Sequence, residues 1–476
     1  MKKITVLAID LGAESGRVMA VHFDGNFLQI EELHRFPNIP VMLNGTLHWN
    51  ILQLWQDILT GVEKGKKYQP ASLGVDTWGV DFALLDEKGD LLGIPVHYRD
   101  TRTDGMMEKT FASVPKADVF QKTGIQFLPI NTIYQLKSLV ERNSVQLSAA
   151  KTFLTIPDLL NFWFTGNKVC EFSNATTTQL YNPIAKDWDY ELITALGIPK
   201  EIFPKIVLPG TQIGEFDGIP VIAPACHDTG SAVASVPAKT PDFAYISSGT
   251  WSLVGIESDQ PVINESALHA NITNEGGVNN TFRLLKNVSG LWIVQQCRKT
   301  WQKKGKPYSY AELIELAAQA GPLTSVINPN DKRLMTPGDH PEIIRILCRE
   351  SGQPVPESDG EIIRCALESL ALAYREVLEQ VQSIASRPID VLHIVGGGTQ
   401  NKLLNQMTAN ATGLPVHAGP VEATVIGNAL IQLISLGEIK NLVEGRHLIS
   451  QSDEIERYQP MEQADWEAAH RRYQAL

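Results

Sequence analysis

The sequence predicts an α/β chain of two related domains, and three observations carry that prediction. Three short apolar runs each lead into a glycine turn: Ile4–Arg17 (ITVLAIDLGAESGR), Ala244–Ser252 (AYISSGTWS) and Val391–Gln400 (VLHIVGGGTQ). Each reads as a buried strand meeting a tight turn. At 476 residues the chain is too long for one core, so two large domains are expected. The strand, glycine turn, strand pattern that opens the chain also restarts at Phe243. Glycine in such turns lets backbone amides point at an anion, so the three together suggest a composite nucleotide site.

The first ~90 residues read as strands Ile4–Asp10, Arg17–Phe23 and Phe27–Phe36, with turns at Gly12, Gly16 and Asp24-Gly25. Ile51–Lys66 has apolar residues at helical spacing, and Leu73–Asp76 and Val80–Leu85 read as two further strands. Strands, helix and strands in that rhythm indicate a mixed sheet. The stretch Thr101–Gly210 reads as a mainly helical insert, with Ile156–Thr165 an apolar helix and Ser173–Thr178 a polar turn. A small-residue helix is expected over Asp228–Val236. Pro237–Pro241 then marks a boundary, giving domains 1–240 and 241–476. Beyond it come strands Phe243–Ser247 and Trp251–Gly255 around Gly249. The expected helices are Gly290–Thr300, Tyr310–Ala320 capped by Ser309, Glu361–Gln382, Asn401–Ala411, Glu422–Leu436 and Met461–Tyr473.

Composition narrows the function classes. A net charge of −12, from 53 acidic and 41 basic residues, disfavours nucleic acid, and no basic run offsets it. No stretch approaches ~18 apolar residues, so no membrane span is expected. The opening Met1-Lys2-Lys3 enters a strand rather than a signal-peptide core, which makes the cytoplasm the expected location. Five cysteines lack CxxC spacing. They are expected to be free thiols, with the approach of Cys348 to Cys365 left open.

Several residues stand where chemistry is done. Asp10 ends the first strand just before the glycine turn, where a carboxylate either holds hydrated magnesium against phosphates or merely caps the turn. Asp228 follows an apolar strand and opens a helix, placed either as an N-cap or as a base for a substrate hydroxyl. Gly74–Phe82 sets Asp76, Trp78 and Asp81 around Gly79, as a sugar contact or as core. His97–Arg102 is a dense polar run past a strand, read as site rather than scaffold. Gly396-Gly397-Gly398 is neither a Walker A loop nor a dinucleotide fingerprint; it serves either close helix packing or a flat adenine.

In their order and spacing these motifs resemble the FGGY family of carbohydrate kinases. They are the Asp10–Arg17 turn, Asp76–Phe82, His97–Asp100, His227-Asp228-Thr229, Ser248–Ser252 and Gly396–Gly398. The resemblance runs over nearly the whole chain. It implies the actin/hexokinase/Hsp70-like (ribonuclease H-like) fold, with a cleft between the domains. The first domain would bind sugar and phosphate, and the second would bind nucleotide. It implies that Asp228 is the catalytic base and that Ala13, Glu14, Ser15, Gly16, Arg17, Thr250, Gln295 and Gly397 contact ATP. Gly79, His227, Asp228, Thr229 and Asn287 would contact the sugar. Mg2+ accompanies ATP, held by Asp10 and Asp228 through water. The implied reaction is phosphoryl transfer to the C1 hydroxyl of a ketose, L-rhamnulose foremost, with L-fuculose, L-ribulose and D-xylulose as alternatives. A non-catalytic sugar or nucleotide sensor is the reading from a different class. Implied partners are ATP and the sugar, with no nucleic acid and no membrane, in a monomer or homo-oligomer.

Overall fold

Every residue of the strand Ile4–Leu11 after the first is buried, as a run of aliphatic side chains requires when both faces of a sheet are covered. The computed structural model describes residues 3–452 and 455–476, so Met1 and Lys2 of the opening lie outside the described residues. Two compact units emerge. The first comprises Met1–Lys239, Glu257–Leu284 and Ala423–Ser452, and the second Thr240–Ile256, Leu285–Glu422 and Asp453–Leu476.

The sheet of the first unit runs, edge to edge, Gln212–Phe216, Ile219–Ile222, Ser72–Thr77, Ile4–Leu11, Ser15–Phe23, Leu28–Pro37. Ile4–Leu11 is antiparallel to Ser15–Phe23, with Asp10 opposite Arg17. It is parallel to Ser72–Thr77, with Asp10 beside Asp76. Alternation sends neighbouring side chains to opposite faces. Val6 and Ala8 meet Val425, Ile426, Ala429 and Leu433 of the helix Ala423–Ser435. Leu7 meets the helix Ile51–Gly65 at Gly65, where a Cβ would crowd it.

The helix Ala423–Ser435 is also tied to the sheet by a buried polar chain. Gln432 donates to the Leu7 carbonyl and to Asn428 Oδ1, and accepts from Ser72 Oγ. Asn428 donates to Asp76 Oδ2 and to the Gly74 carbonyl. The same helix packs on Asp228–Ala234 so closely that a Cβ at Gly427 would overlap the Ser231 carbonyl. Overpacking costs ~1–3 kcal/mol, and a backbone obstacle pushes the cost to the upper end. Gly427→Ala is therefore expected to lower the urea midpoint and to disturb turnover through the shifted helix; an unchanged midpoint would show that the two helices separate freely.

The region 101–210 is mainly helical, as expected, and Ile156–Thr165 has the predicted bounds. One reading is corrected. The stretch read as a polar turn over Ser173–Thr178 is largely the helix Phe172–Thr177, and all six of its residues are buried. Glu171 caps it by accepting from the amides of Ser173 and Asn174. The hydroxyls of Thr176, Thr177 and Thr178 bond back to carbonyls three residues earlier, which satisfies them inside the protein. The strand read from Val80 starts at Phe82, because Val80 sits at φ +67°. The helices His340–Glu350 and Leu442–Ser452 were not anticipated.

The second unit repeats the opening motif. Phe243–Ser248 is antiparallel to Ser252–Ser258 and parallel to Val391–Val395. Val416–Ala418 extends the parallel run, and Glu456–Tyr458 pairs antiparallel with it. Capping boxes start Tyr310–Gln319 at Ser309 and the long Asp359–Ala385 at Ser358. Cys348 and Cys365 do approach, with Sγ atoms 4.0 Å apart, as buried free thiols. Among the described residues no helix is long and apolar enough to cross a membrane.

Buried carboxyls make stability depend on pH. Burial, offset in part by a hydrogen bond from Thr155, raises Asp158 to about 8. Burial likewise raises Glu171 to about 7 despite its hydrogen bonds from Ser173. The folded chain keeps protons that the unfolded chain releases near 4, so this stabilisation is complete below ~4 and is lost as pH rises through 7 to 8. The urea midpoint is expected to fall between pH 6 and pH 8.5, and less so in Asp158→Asn. An equal fall in both proteins would remove Asp158 from the account.

Candidate active site

Parallel pairing brings several strand ends to one place in the first unit. Asp10 and Asp76 are register partners, and Thr77 bridges to His227, its amide donating to the Cys226 carbonyl. Asp10 accepts from Arg17 Nε at 2.9 Å and Nη2 at 2.5 Å. Arg17 therefore serves the carboxylate directly. Asp76 is fully buried; Asn428 bonds one oxygen at 2.6 Å, and Oδ1 has no hydrogen-bond partner among the described residues. Burial, reinforced by the charge of Asp10, holds its carboxyl well above the ordinary range.

Asp228 opens its helix with Oδ1 taken by the amide and hydroxyl of Thr229, at 2.5 and 3.1 Å. Its Oδ2 takes no hydrogen bond from the described residues. The side chain stays 28% exposed although protein crowds it, as for a carboxylate on the floor of a recess. Burial raises its pKa, and the nearby Asp10 charge adds to the rise.

His227 is set by a buried arginine. Arg283, wholly buried on the strand Phe282–Val288, lies with Nη2 3.0 Å from His227 Nδ1 and Nε 2.9 Å from the Gly276 carbonyl. A guanidinium only donates, so this contact asks Nδ1 to accept and assigns the proton of a neutral ring to Nε2, with Glu275 Oε2 3.3 Å from the same Nδ1. Nε2 is 3.5 Å from Asp228 Oδ1. Glu275 balances the charge, 3.2 Å from Arg283.

The turn at Gly12 closes through its amide on the Ser15 carbonyl, and Asn38 grips it by donating to the carbonyls of Gly12 and Glu14. Ala13 and Glu14 form its tip. Gly16, read as a turn, is instead buried in the strand Ser15–Phe23 between Leu11 and Phe36, where a Cβ would strike both, so packing demands glycine there. Gly79 is half-buried against Thr177. Asp81, read beside it as a sugar contact or core, belongs to the core. Its oxygens accept from Trp49 Nε1, Trp78 Nε1, the Tyr98 amide and Gln135. His97 stacks on Trp49 at 4.0 Å, so the 97–102 run begins as support for this aromatic box.

In the second unit the two glycine turns meet. A Cβ on Gly398 would overlap the Ser248 hydroxyl, and Gly396 at φ +88° approaches the Ser248 carbonyl. Gly397 faces open space. Thr250 Oγ1 accepts from Gln295 Nε2 at 3.3 Å, while Gln295 Oε1 is buried with no hydrogen-bond partner among the described residues. Asn287 is half-buried near the end of the strand Phe282–Val288, three residues before Gly290, which lies tight against Ser252.

Among the described residues no three His, Cys, Asp or Glu side chains form a metal cage. Magnesium asks for less: one or two carboxylates, retained waters and substrate phosphates. Asp10 and Asp228, with the unpartnered Asp76 Oδ1 in the same cluster, fit that mode. Sequence reasoning missed Arg283, Glu275, Ser173, Asn174 and Asn428. An arginine inside the apolar strand FRLLKNV was the one visible signal.

The N-terminal domain profile of the FGGY family of carbohydrate kinases matches residues 5–221, and its C-terminal domain profile matches residues 244–436. A rhamnulokinase of Bacteroides thetaiotaomicron is 45% identical over 482 residues, covering 98% of each chain. One from Pectobacterium atrosepticum is 45% identical over 99% of this chain and 96% of its own. Among solved structures, a gluconate kinase from Lactobacillus acidophilus shares the fold with a TM-score of 0.80 at 16% identity, covering 100% of this chain and 97% of its own. Plasmodium falciparum glycerol kinase with ADP gives 0.77 at 16% identity over 98% of each chain. These folds are two-domain α/β sugar-kinase folds, as the sequence predicted. With both family domains matched and close relatives along its whole length, the chain belongs to the FGGY family of carbohydrate kinases.

Proposed function

We propose that this protein transfers the γ-phosphoryl group of ATP to the C1 hydroxyl of L-rhamnulose, giving L-rhamnulose 1-phosphate and ADP. The observation that carries the mechanism is Asp228: a recessed carboxylate with Oδ1 held by Thr229 and Oδ2 open to a hydroxyl. The similarity to rhamnulokinases supports the choice of sugar.

Asp228 Oδ2 accepts the C1 proton as the sugar oxygen bonds to phosphorus and the bond to ADP breaks. A raised carboxyl pKa makes it a stronger base than a solvated aspartate. His227, with its proton on Nε2, donates to a sugar oxygen, and Thr229, Gly79 and Asn287 complete the sugar contacts. Domain 1–240 carries sugar and phosphate binding, and domain 241–476 carries the nucleotide through Thr250, Gln295 and Gly397. The turn Ala13 to Arg17 receives phosphate oxygens. Asp10 and Asp228 would hold, through water, the magnesium that accompanies ATP, which would supply neutralisation of the phosphate charge.

The test is ADP release by the purified protein with Mg-ATP and a ketose panel. Strong preference for L-rhamnulose is the expected result. Preference for L-fuculose, L-ribulose or D-xylulose would move the sugar and keep the chemistry. ATP binding with no turnover on any sugar would favour a sensor instead.

A further inference from the structure

The buried helix Phe172–Thr177 touches two loops that the proposed reaction must hold in register. Thr177 Oγ1 accepts from the Val80 amide at 3.0 Å, and Asn174 Nδ2 lies 3.3 Å from the Trp78 carbonyl. Both bonds grip the loop that carries Gly79. On the other side, Ser173 Oγ accepts from the His227 amide at 3.0 Å. Asn174 Nδ2 also reaches the Cys226 carbonyl at 3.4 Å, and Glu171 Oε2 accepts from the Cys226 amide at 2.9 Å. All three of these contacts end one or two residues before Asp228. Thr176 Oγ1 adds a bond from the Gly276 amide, next to Glu275.

The loop gripped by Thr177 is strained. Val80 sits at φ +67°, a region that a β-branched residue enters only when its surroundings force it. The Asp81 amide bonds the Gly79 carbonyl two residues back, closing a γ-turn around Val80. The Val80 carbonyl is held from outside by Thr132 Oγ1 at 2.6 Å and Gln135 Nε2 at 3.2 Å. Every polar group of this valine is thus fixed by a neighbouring element. Strain of this kind persists only where the surroundings supply more than it costs.

We propose that Ser173, Asn174 and Thr177 are positioning residues that set the sugar loop at Gly79 against the base at Asp228. The proposal rests on the functional reading above. The side chains on this helix divide the work: Thr177 fixes the sugar loop, Ser173 fixes the backbone of the base, and Asn174 ties the two. A displacement of one ångström at a reacting centre costs up to about 100-fold in rate, so hydrogen bonds that hold two loops in register matter more than their own energies.

The experiment measures kcat, KM for L-rhamnulose and KM for ATP in Thr177→Val, Ser173→Ala and Thr177→Ser. Thr177→Val is expected to raise the sugar KM about tenfold, leaving kcat and the ATP KM within about twofold. Ser173→Ala is expected to do the reverse, lowering kcat about tenfold with the sugar KM little changed. Thr177→Ser keeps the hydroxyl and should restore the native sugar KM. Val80→Gly guards against loss of folding, because glycine enters φ +67° without strain. It should stay folded yet raise the sugar KM, since the turn is no longer enforced. Equal shifts of KM and kcat in both variants, or no shift in folded Val80→Gly, would overturn the proposal. Full turnover in Asp228→Asn would remove the reading beneath it. Loss of turnover there without the KM and kcat split would overturn the positioning role alone.

Discussion

Asp228→Asn is expected to lower kcat by about 10²–10⁴-fold while nucleotide binding is retained. The asparagine keeps the shape and still accepts from Thr229 through its carbonyl, but its second terminal atom becomes an NH2 group that cannot take a proton. Removing one charge from the cluster with Asp10 and Asp76 also relieves repulsion, so folding should not suffer. The measurement is steady-state turnover with L-rhamnulose alongside calorimetric titration with ATP. Turnover within tenfold of the native enzyme would remove Asp228 from the role of base.

The second large effect is on stability. Arg283→Met removes a cation from a wholly buried site 3.2 Å from Glu275, and breaking such a pair costs about 3–5 kcal/mol. Arg283→Met combined with Glu275→Gln removes both charges and should recover much of that loss. His227 provides a second readout. With the guanidinium gone, Nδ1 no longer has to accept, and the ring is free to move its proton from Nε2. Nitrogen NMR of the histidine ring should show the change of tautomer, and urea unfolding should show the stability difference. A single variant costing less than ~1 kcal/mol, or a double variant no better than the single, would mean that water already reaches this pair.

The strands that lead into the glycine turns and most of the longer helices were legible because their signals are local, whereas Gln212–Phe216, Thr273–Gly276, Phe282–Val288, Val416–Ala418 and Glu456–Tyr458 were not read. Ile4–Asp10 is a mostly aliphatic run, Ser309 stands three residues before a glutamate, and Ile156–Thr165 ends at a glycine, while the same signal at Ser358 was passed over and its helix read from Glu361. The polar helix at 172–177 was not legible. Its serine, asparagine and threonines favour turns, and only partners 50 to 100 residues away turn them inward. Asp76 and Asp81 looked alike in the sequence, two carboxylates flanking Gly79. The fold separates them. Parallel register puts Asp76 among the acidic cluster, whereas two indoles and Gln135 occupy Asp81. The glycine turns were recognised, but the reason for Gly398 lies in the Ser248 hydroxyl, far away in the chain.

The order in which the ribosome releases this chain now matters. The helix Ala423–Ser435 belongs to the first unit, yet it emerges only after Leu285–Glu422 has been made. Until then the face formed by Val6, Ala8, Met19 and Val21 has no cover, and Asp76 lacks Asn428. A nascent chain halted near residue 400 would therefore expose a sticky apolar sheet, a natural client for a chaperone. Fragment 1–240 should aggregate when made alone, and a separately supplied peptide spanning 423–452 should improve its solubility.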